Sequence, residues 1–278
     1  MRQYGRLMGT WARGAVRGAV LAAATVWAWA SSPSMAQEAK KEPAAGQVTI
    51  RWFGQSLFQI ETTRGTKIAC DPHAIEQFGR QIVEADVVTV SHLHSDHTQL
   101  SMIADVQRAK VFLGLKPGGK NPDWNPVDVT FRDVKIRTVP TYHDETNGLR
   151  RGKNSVFVFE FDGLTVAHLG DLGHVLDEEQ VKAIGRVDVL MIPTGGIYTI
   201  NGGQAREVVE QLKPRLYILP MHYGTKDYTE VLPLDEFIDE YPNVLNLAKQ
   251  GSNQLSFSPR MEPPKVPPIV ILSHTSRR

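Results

Sequence analysis

The sequence predicts an α/β fold, and three observations carry that expectation. One is a strand signal: Ala85-Asp86-Val87-Val88-Thr89-Val90 is short, apolar and β-branched, as a buried strand is. It delivers Ser91-His92-Leu93-His94-Ser95-Asp96-His97 at its C-terminal end, where α/β folds place their sites. Another is a change of rhythm, from closely spaced strands and tight turns to alternating helix and strand after Asp171. The third is size, because 242 residues remain once a leader of 36 is set aside, enough for one large domain with a sizeable core.

That leader is read from its charge and length. Arg2, Arg6, Arg13 and Arg17 precede a 12-residue apolar run, Ala19 to Ala30, and Ser34-Met35-Ala36 puts small residues where a signal peptidase cuts. Residues 1–36 are therefore expected to be a signal peptide cleaved after Ala36, which makes the protein periplasmic or secreted. The run is short for a span of roughly 20 residues, so no stable membrane span is expected after cleavage. An uncleaved anchor, with Trp27 and Trp29 at the interface, is the alternative. Removing the leader's four arginines leaves 27 basic against 30 acidic side chains, a formal net of about −3. Such a balance gives no support for a nucleic-acid or anionic-membrane partner, and the expected partner is a small-molecule substrate. Cys70 is the only cysteine, so no intrachain disulfide can form and stability must come from core burial and metal.

Residues 37–46 are charged and contain Pro43, which predicts a flexible leader. The domain is expected over 47–258. Val48 to Phe53, Ser56 to Ile60 and Lys67 to Cys70 form an antiparallel meander, stopped by Asp71-Pro72 because proline cannot donate to a ladder. After the histidine motif, Met102 to Arg108 is expected to be helical and Lys110 to Leu113 a strand, and residues 118–126 form a loop rich in glycine and proline. Apolar positions then switch parity, from Val127, Val129 and Phe131 to Val134 and Ile136, which requires a turn at Arg132-Asp133 between two strands. The second of these runs on to Val139-Pro140-Thr141-Tyr142-His143.

Ser155 to Phe161 and Leu164 to Leu169 form a hairpin about Asp162-Gly163, a strong turn signal, and the chain continues to Gly170-Asp171. Asp177 caps a helix over Glu178 to Ile184, Val187 to Ile192 is a buried strand, and Asn201 or a neighbour caps a helix over Gln204 to Leu212. Arg215 to Leu219 is the next strand and ends at Pro220-Met221-His222. Pro233 opens a last helix through Tyr241, and Gln254 to Phe257 closes a sheet. The tail, 259–278, has five prolines in its first ten residues and is expected to be extended and poorly packed.

Three of the nine histidines fall within the six positions from His92 to His97. Imidazole nitrogen and carboxylate oxygen suit zinc and similar divalent ions, so this is a metal-site composition. Alternation points His92 and His94 the same way, while Asp96 and His97 turn towards a second position as the chain bends. Three further strands end on potential ligands, His143, Asp171 and His222, and the strand-end rule brings them to one edge. His168 is expected to stay out of the ligand set, three residues before Asp171 on the opposite face. Asp71 is a candidate acceptor for the far nitrogen of a metal-bound imidazole. His73 and His174 read as loop residues, at the surface more readily than in the cleft, and His274 as tail. Tyr198, Thr199 and Tyr223 are candidates for shaping the cleft, or plain packing residues.

His-x-His-x-Asp-His at His92 to His97 resembles the signature of the metallo-β-lactamase fold hydrolases. Trp52-Phe53-Gly54, Asp71-Pro72, Pro140-Thr141-Tyr142-His143, Gly170-Asp171, Pro193-Thr194-Gly195-Gly196 and Pro220-Met221-His222-Tyr223 extend the likeness over most of the chain. It is nearest to the L-ascorbate-6-phosphate lactonase branch and more distant from the N-acyl-phosphatidylethanolamine phospholipase D family, with Gly54-Gln55-Ser56 where such relatives often have Gly-His-Ser. The resemblance implies a metallo-β-lactamase-like αββα sandwich, two mixed sheets face to face with helices outside. It further implies two divalent ions, zinc first with manganese or iron as alternatives. His92, His94 and His143 would hold one ion, Asp96, His97 and His222 the other, and Asp171 would bridge them. The implied activity is hydrolysis by a metal-bound hydroxide, which Asp96 orients, on an ester, lactone or phosphodiester. A β-lactamase-like enzyme, or a metal-binding member of the fold without turnover, is the alternative.

Overall fold

Fourteen of the strands divide into two mixed sheets in a computed structural model that describes residues 46–275. The expected signal peptide, residues 1–36, and most of the expected flexible leader lie outside the described residues. The six-stranded sheet runs, edge to edge, Gln254–Phe257, Val48–Trp52, Phe58–Glu61, Lys67–Cys70, Val87–Val90, Lys110–Leu113. Its first four strands are antiparallel neighbours, and the last two join parallel to Lys67–Cys70. The eight-stranded sheet runs Val244–Asn246, Ile269–Ile271, Tyr217–Met221, Val189–Pro193, Leu164–His168, Lys153–Phe161, Val134–Tyr142, Asp128–Phe131. There the antiparallel meander of the middle of the chain meets parallel strands from its last third.

Period-two patterning explains why the sheets stack. Ile50, Ile60, Ile68 and Val87 from the first sheet join Val134, Ile136, Val156, Val158, Val166 and Ile218 from the second in one buried cluster. Burying each such side chain contributes roughly 1.5–3 kcal/mol relative to exposure. The other face of the first sheet is covered too, with Leu57, Ala69 and Val88 against Val83 and Ile103. Val87–Val90 is therefore buried on both faces, which is why it reads as a continuous apolar run.

Two helices close the second sheet. Glu178–Ile184 starts at Asp177 with a reciprocal capping box to Gln180, and Gly202–Leu212 starts at Asn201 with the same box to Gln204. Ile184, Ala205, Val208 and Leu212 carry their apolar faces into the main cluster. Arg137, on Val134–Tyr142, donates to the carbonyls of Ala183 (2.7 Å) and Ile184 (2.7 Å) and so satisfies the first helix's C-terminal end. Among the described residues no helix is long and apolar enough to cross a membrane.

Three expectations are corrected. Met102 to Arg108 is not a helix but two 3-10 turns, Leu100–Met102 and Val106–Arg108, about the short strand Ile103–Ala104, which pairs with Val83–Glu84. The last helix is only Asp235–Ile238. The tail does not hang free: Ile269–Ile271 inserts between Tyr217–Met221 and Val244–Asn246 and is buried. Its prolines remove donors but keep acceptors, and the Pro268 carbonyl takes Ile218 N–H at 3.0 Å. The apolar run after the prolines, Ile269 to Leu272, outweighs them.

The turn at Arg132-Asp133 ties the two sheets together. Asp133 accepts from the buried hydroxyls of Thr62 (2.7 Å) and Thr66. Burial alone would raise its carboxyl, but those two hydrogen bonds lower it below the ordinary range. Asp133→Ala leaves two buried hydroxyls unpaired, at a cost of about 1–3 kcal/mol, so a melt at pH 7 is expected to fall by roughly 2–10 °C. A folded-state pKa below the unfolded one contributes stability above about pH 4 and loses it as pH falls, so the gap to wild type should close in acid. A gap unchanged by acid would contradict this role.

Candidate metal centre

Four strand ends converge at one edge. Val87–Val90 runs out at Ser91-His92, Val134–Tyr142 at His143, Leu164–His168 towards Asp171, and Tyr217–Met221 at His222. Between strand and ligand the backbone bends hard. Gly170 has φ +56°, and a Cβ there would lie 2.5 Å from both Ser91 Cβ and Asn154 Oδ1. Gly195 lets the neighbouring loop approach His222, since a Cβ would stand 2.2 Å from the His222 carbonyl oxygen. His222 itself sits at φ +50°, a sparsely populated region for a non-glycine residue, and its N–H donates to Gln55 O at 3.2 Å.

The predicted residues form two adjoining groups of donor atoms, each within 4.8 Å of one another: His92, His94, His143, and Asp96, His97, Asp171, His222. Asp171 stands between them. Its Oδ2 is 3.1 Å from His97 Nε2, 3.2 Å from His143 Nε2, 3.3 Å from His222 Nε2 and 3.8 Å from His92 Nε2. Asp96 Oδ2 is 3.4 Å from His97 Nε2, and His92 Nε2 faces His94 Nδ1 at 3.0 Å. All but His94 and Asp96 are buried.

Asp71 forms a further group with His92 and His97, but its oxygens are already engaged. Oδ1 accepts Ser91 N–H (2.7 Å), and Oδ2 takes Ser91 Oγ–H (2.6 Å) and lies 3.0 Å from His97 Nδ1. It thereby fixes the His97 ring with Nε2 turned to Asp171, the acceptor role expected of it. Ser56 Oγ donates to Asp171 Oδ1 at 3.2 Å, and Gln55 Nε2 to Asp96 Oδ2 at 3.1 Å. Asn154 accepts Asp171 N–H through Oδ1 (3.1 Å) while its Nδ2 donates to Thr141 Oγ1 and Leu169 O. None of Ser56, Gln55 and Asn154 was foreseen as a positioning residue from sequence.

The donor set fits divalent metal. His97 Nε2, which is turned into the cluster, is buried with no hydrogen-bond partner, a state that costs stability unless the atom has a use. Burial would raise the Asp171 carboxyl, yet His222 and His97 hold it well below the ordinary range, so it stays an anionic donor. Asp96 is lowered likewise, burial being outweighed by the bond and charge of His97. His97 resists burial because Asp171 and Asp71 raise its pKa well above that of a free imidazole, and a proton there competes with an ion. Burial and neighbouring histidines push His92 and His94 down, leaving neutral nitrogens.

Of the other histidines, His73, His174 and His274 differ from their expected places and His168 does not. His73 is buried, with Nε2 3.1 Å from Gly54 O and Nδ1 accepting Ile75 N–H at 3.1 Å. His174 Nε2 accepts Tyr142 N–H at 3.1 Å, so it braces the strand that presents His143. His274 packs edge-on to Trp52 and Phe78. His168 stands outside the three groups. Of the cleft candidates Tyr198 lines a cavity of about 460 Å³ in front of Asp171, together with His94, Asp96, Arg151 and Tyr228. Tyr223 instead stacks on Trp52, at 5.2 Å between centroids, and Thr199 is turned to a backbone carbonyl.

A strand-edge cluster of imidazoles and carboxylates on two stacked sheets defines a metal-dependent enzyme class. A model of the β-lactamase superfamily domain matches residues 49–222, and the chain belongs to that superfamily as one of its metal-dependent hydrolases. A UPF0173 metal-dependent hydrolase of Pyrococcus abyssi is 31% identical over 200 residues, 64% of this chain and 85% of the relative. Another, of Pyrococcus furiosus, is 30% identical over 202 residues with the same coverage, 64% and 85%. A solved structure from Thermotoga maritima, assigned as a zinc-dependent hydrolase of the metallo-β-lactamase superfamily, is 36% identical with a TM-score of 0.59, covering 81% of this chain and 97% of that one. A metallo hydrolase of Ignicoccus hospitalis, 21% identical with a TM-score of 0.52, covers 76% and 98% and shares the fold. The expected sandwich of mixed sheets is the observed one.

Proposed function

We propose that this centre takes two divalent ions, zinc first, and cleaves an ester, lactone or phosphodiester bond of a small molecule. The observation that carries the reading is Asp171 Oδ2, with four imidazole nitrogens between 3.1 and 3.8 Å of it. One carboxylate oxygen facing imidazoles of both groups is the arrangement a bridging ligand requires. His92, His94 and His143 would hold one ion and Asp96, His97 and His222 the other. The zinc-dependent assignment of the Thermotoga maritima relative supports the choice of metal, and manganese or iron would accept the same ligands. Bound ions of this kind supply Lewis acidity and a water acidified to about pKa 7.

The protein's own contribution is orientation. Asp96 reaches the cavity, its side chain being 35% exposed, while Gln55 holds one of its oxygens. It is thus placed to orient the attacking water and accept its proton. Ser56 and Asp71 restrain the buried side chains of Asp171 and His97, and Gln55 O holds the backbone of His222. Export follows from the leader: the mature chain would begin at Gln37, outside the cytoplasm, and N-terminal sequencing that finds intact Met1 in membranes would reject it. The hydrolytic reading is tested by assaying metal-loaded protein on lactones, phosphodiesters, simple esters and β-lactams. Turnover of an ester, lactone or phosphodiester is expected; turnover of β-lactams alone would move the substrate to the other branch.

A further inference from the structure

The cavity in front of Asp171 holds two charged groups that the metal site does not use, Arg151 and Glu230. Among the described residues Arg151 is the only lysine or arginine lining it; the other charged groups are the carboxylates Asp96, Asp171 and Glu230 and the histidines. We propose that Arg151, braced by Tyr198, is a receptor for an anionic group, carboxylate or phosphate, that the substrate carries away from the bond to be cut. The proposal rests on the hydrolase reading above and adds a substrate class to it.

Three observations converge on this. Arg151 makes no ion pair among the described residues. The contrast with Arg150 is informative, because the next-door guanidinium lies 4.0 Å from Glu145 on the exposed side of the same loop. The hydrogen bond of Arg151 to Ile197 lies on the open side of the cavity, so water hydrates the remaining guanidinium donors and the anionic group of a ligand can replace that water. Next, the fork is held in place. Nη2 donates to Ile197 O at 2.8 Å, and the guanidinium carbon stands 5.5 Å from the centroid of the Tyr198 ring. A guanidinium has five donors in one plane, so several remain free in an orientation already set, the geometry that takes carboxylate or phosphate in a bidentate pair.

The last observation is how the loop is built. Asp144, directly after His143, accepts from Thr146 N (2.8 Å), Thr146 Oγ1 (2.7 Å), Gly148 N (3.0 Å), Arg150 N (3.0 Å) and Arg151 N (2.7 Å). One buried carboxylate thus winds residues 144–151 into a fixed loop. It sets the spacing between a candidate metal ligand and the guanidinium, as a site that reads both ends of one substrate requires. Preorganisation of this kind spares the loop-ordering cost on binding.

The test uses the metal-loaded full chain and three 4-nitrophenyl esters of similar length: neutral, terminally carboxylated and terminally phosphorylated. Wild type should prefer an anionic ester, and Arg151→Gln should reduce the anionic-over-neutral ratio of kcat/KM by about 10- to 100-fold, mostly through KM, at unchanged metal content. Arg151→Lys, which keeps charge but loses the fork, should fall between. Whichever anionic ester loses more identifies carboxylate or phosphate. Equal losses on all three esters, or a wild type without charge preference, would overturn the receptor. Should no ester be turned over, the hydrolytic reading fails alone. Calorimetry with the unreactive ethers 4-(4-nitrophenoxy)butanoate and 3-(4-nitrophenoxy)propyl phosphate then decides, at least tenfold tighter binding of either to wild type than to Arg151→Gln supporting the receptor and equal affinity for both refuting it.

Discussion

Asp171→Ala is expected to strip metal from the protein, whereas His168→Asn should leave metal content near that of wild type. The two residues are equally buried and three apart, yet their surroundings differ in kind. Asp171 faces four imidazoles from three other segments, and removing it deletes the carboxylate oxygen that lies within 3.8 Å of imidazoles from both groups. His168 has no nitrogen to spare: Nδ1 accepts Gly170 N–H at 3.2 Å, and Nε2 lies 2.9 Å from Ser56 O. A ring that accepts at Nδ1 donates at Nε2, so it is a neutral strut beneath the site. Because a ligand that binds only the folded state stabilises it by about 4 kcal/mol at a thousandfold excess over Kd, the Asp171 variant should also lose most of the melting shift that chelators cause. Metal loss in His168→Asn with retention in Asp171→Ala would reverse the assignment.

Asp96→Asn should keep metal at least in part and lose turnover by about 10²–10⁴-fold, the effect of removing a positioned acid or base. Asparagine preserves size and one oxygen, which Gln55 Nε2 can still hold, but not charge or the capacity to take a proton. His92→Ala should behave differently. It removes a buried imidazole whose Nδ1 is fixed at 3.0 Å from Ser91 Oγ, so the defect lies in metal affinity, and excess zinc should rescue part of it. Measuring kcat with and without added zinc separates the two. Wild-type turnover in Asp96→Asn would reduce Asp96 to a structural member of the loop.

Local chemistry made much of this site legible in the sequence. A histidine-rich hexapeptide after a β-branched run names both the candidate ligands and the strand that carries them, and strand ends on His143, Asp171 and His222 needed only the edge rule to meet. His168 lies outside the donor groups for a different reason from the one sequence suggests. Parity assumes a regular strand to Asp171, but the strand ends at His168 and Gly170 turns it at φ +56°, so the engaged ring nitrogens decide the matter. The roles of Gln55, Asn154 and Arg151 went unread because their partners lie 41, 17 and 46 residues away, brought near only when distant segments of each sheet assemble. Asp144 left a trace, an Asp followed two residues later by threonine and then Asn-Gly, the chemistry of a side-chain-stabilised turn. The buried strand Ile269–Ile271 was obscured by the prolines before it.

The claim beneath all of this is that one carboxylate joins two ions. Elemental analysis of the purified, turnover-competent chain tests it most directly. The account predicts about two equivalents of divalent metal per chain, zinc foremost, falling together in Asp171→Ala. Full turnover at about one equivalent or less would contradict it.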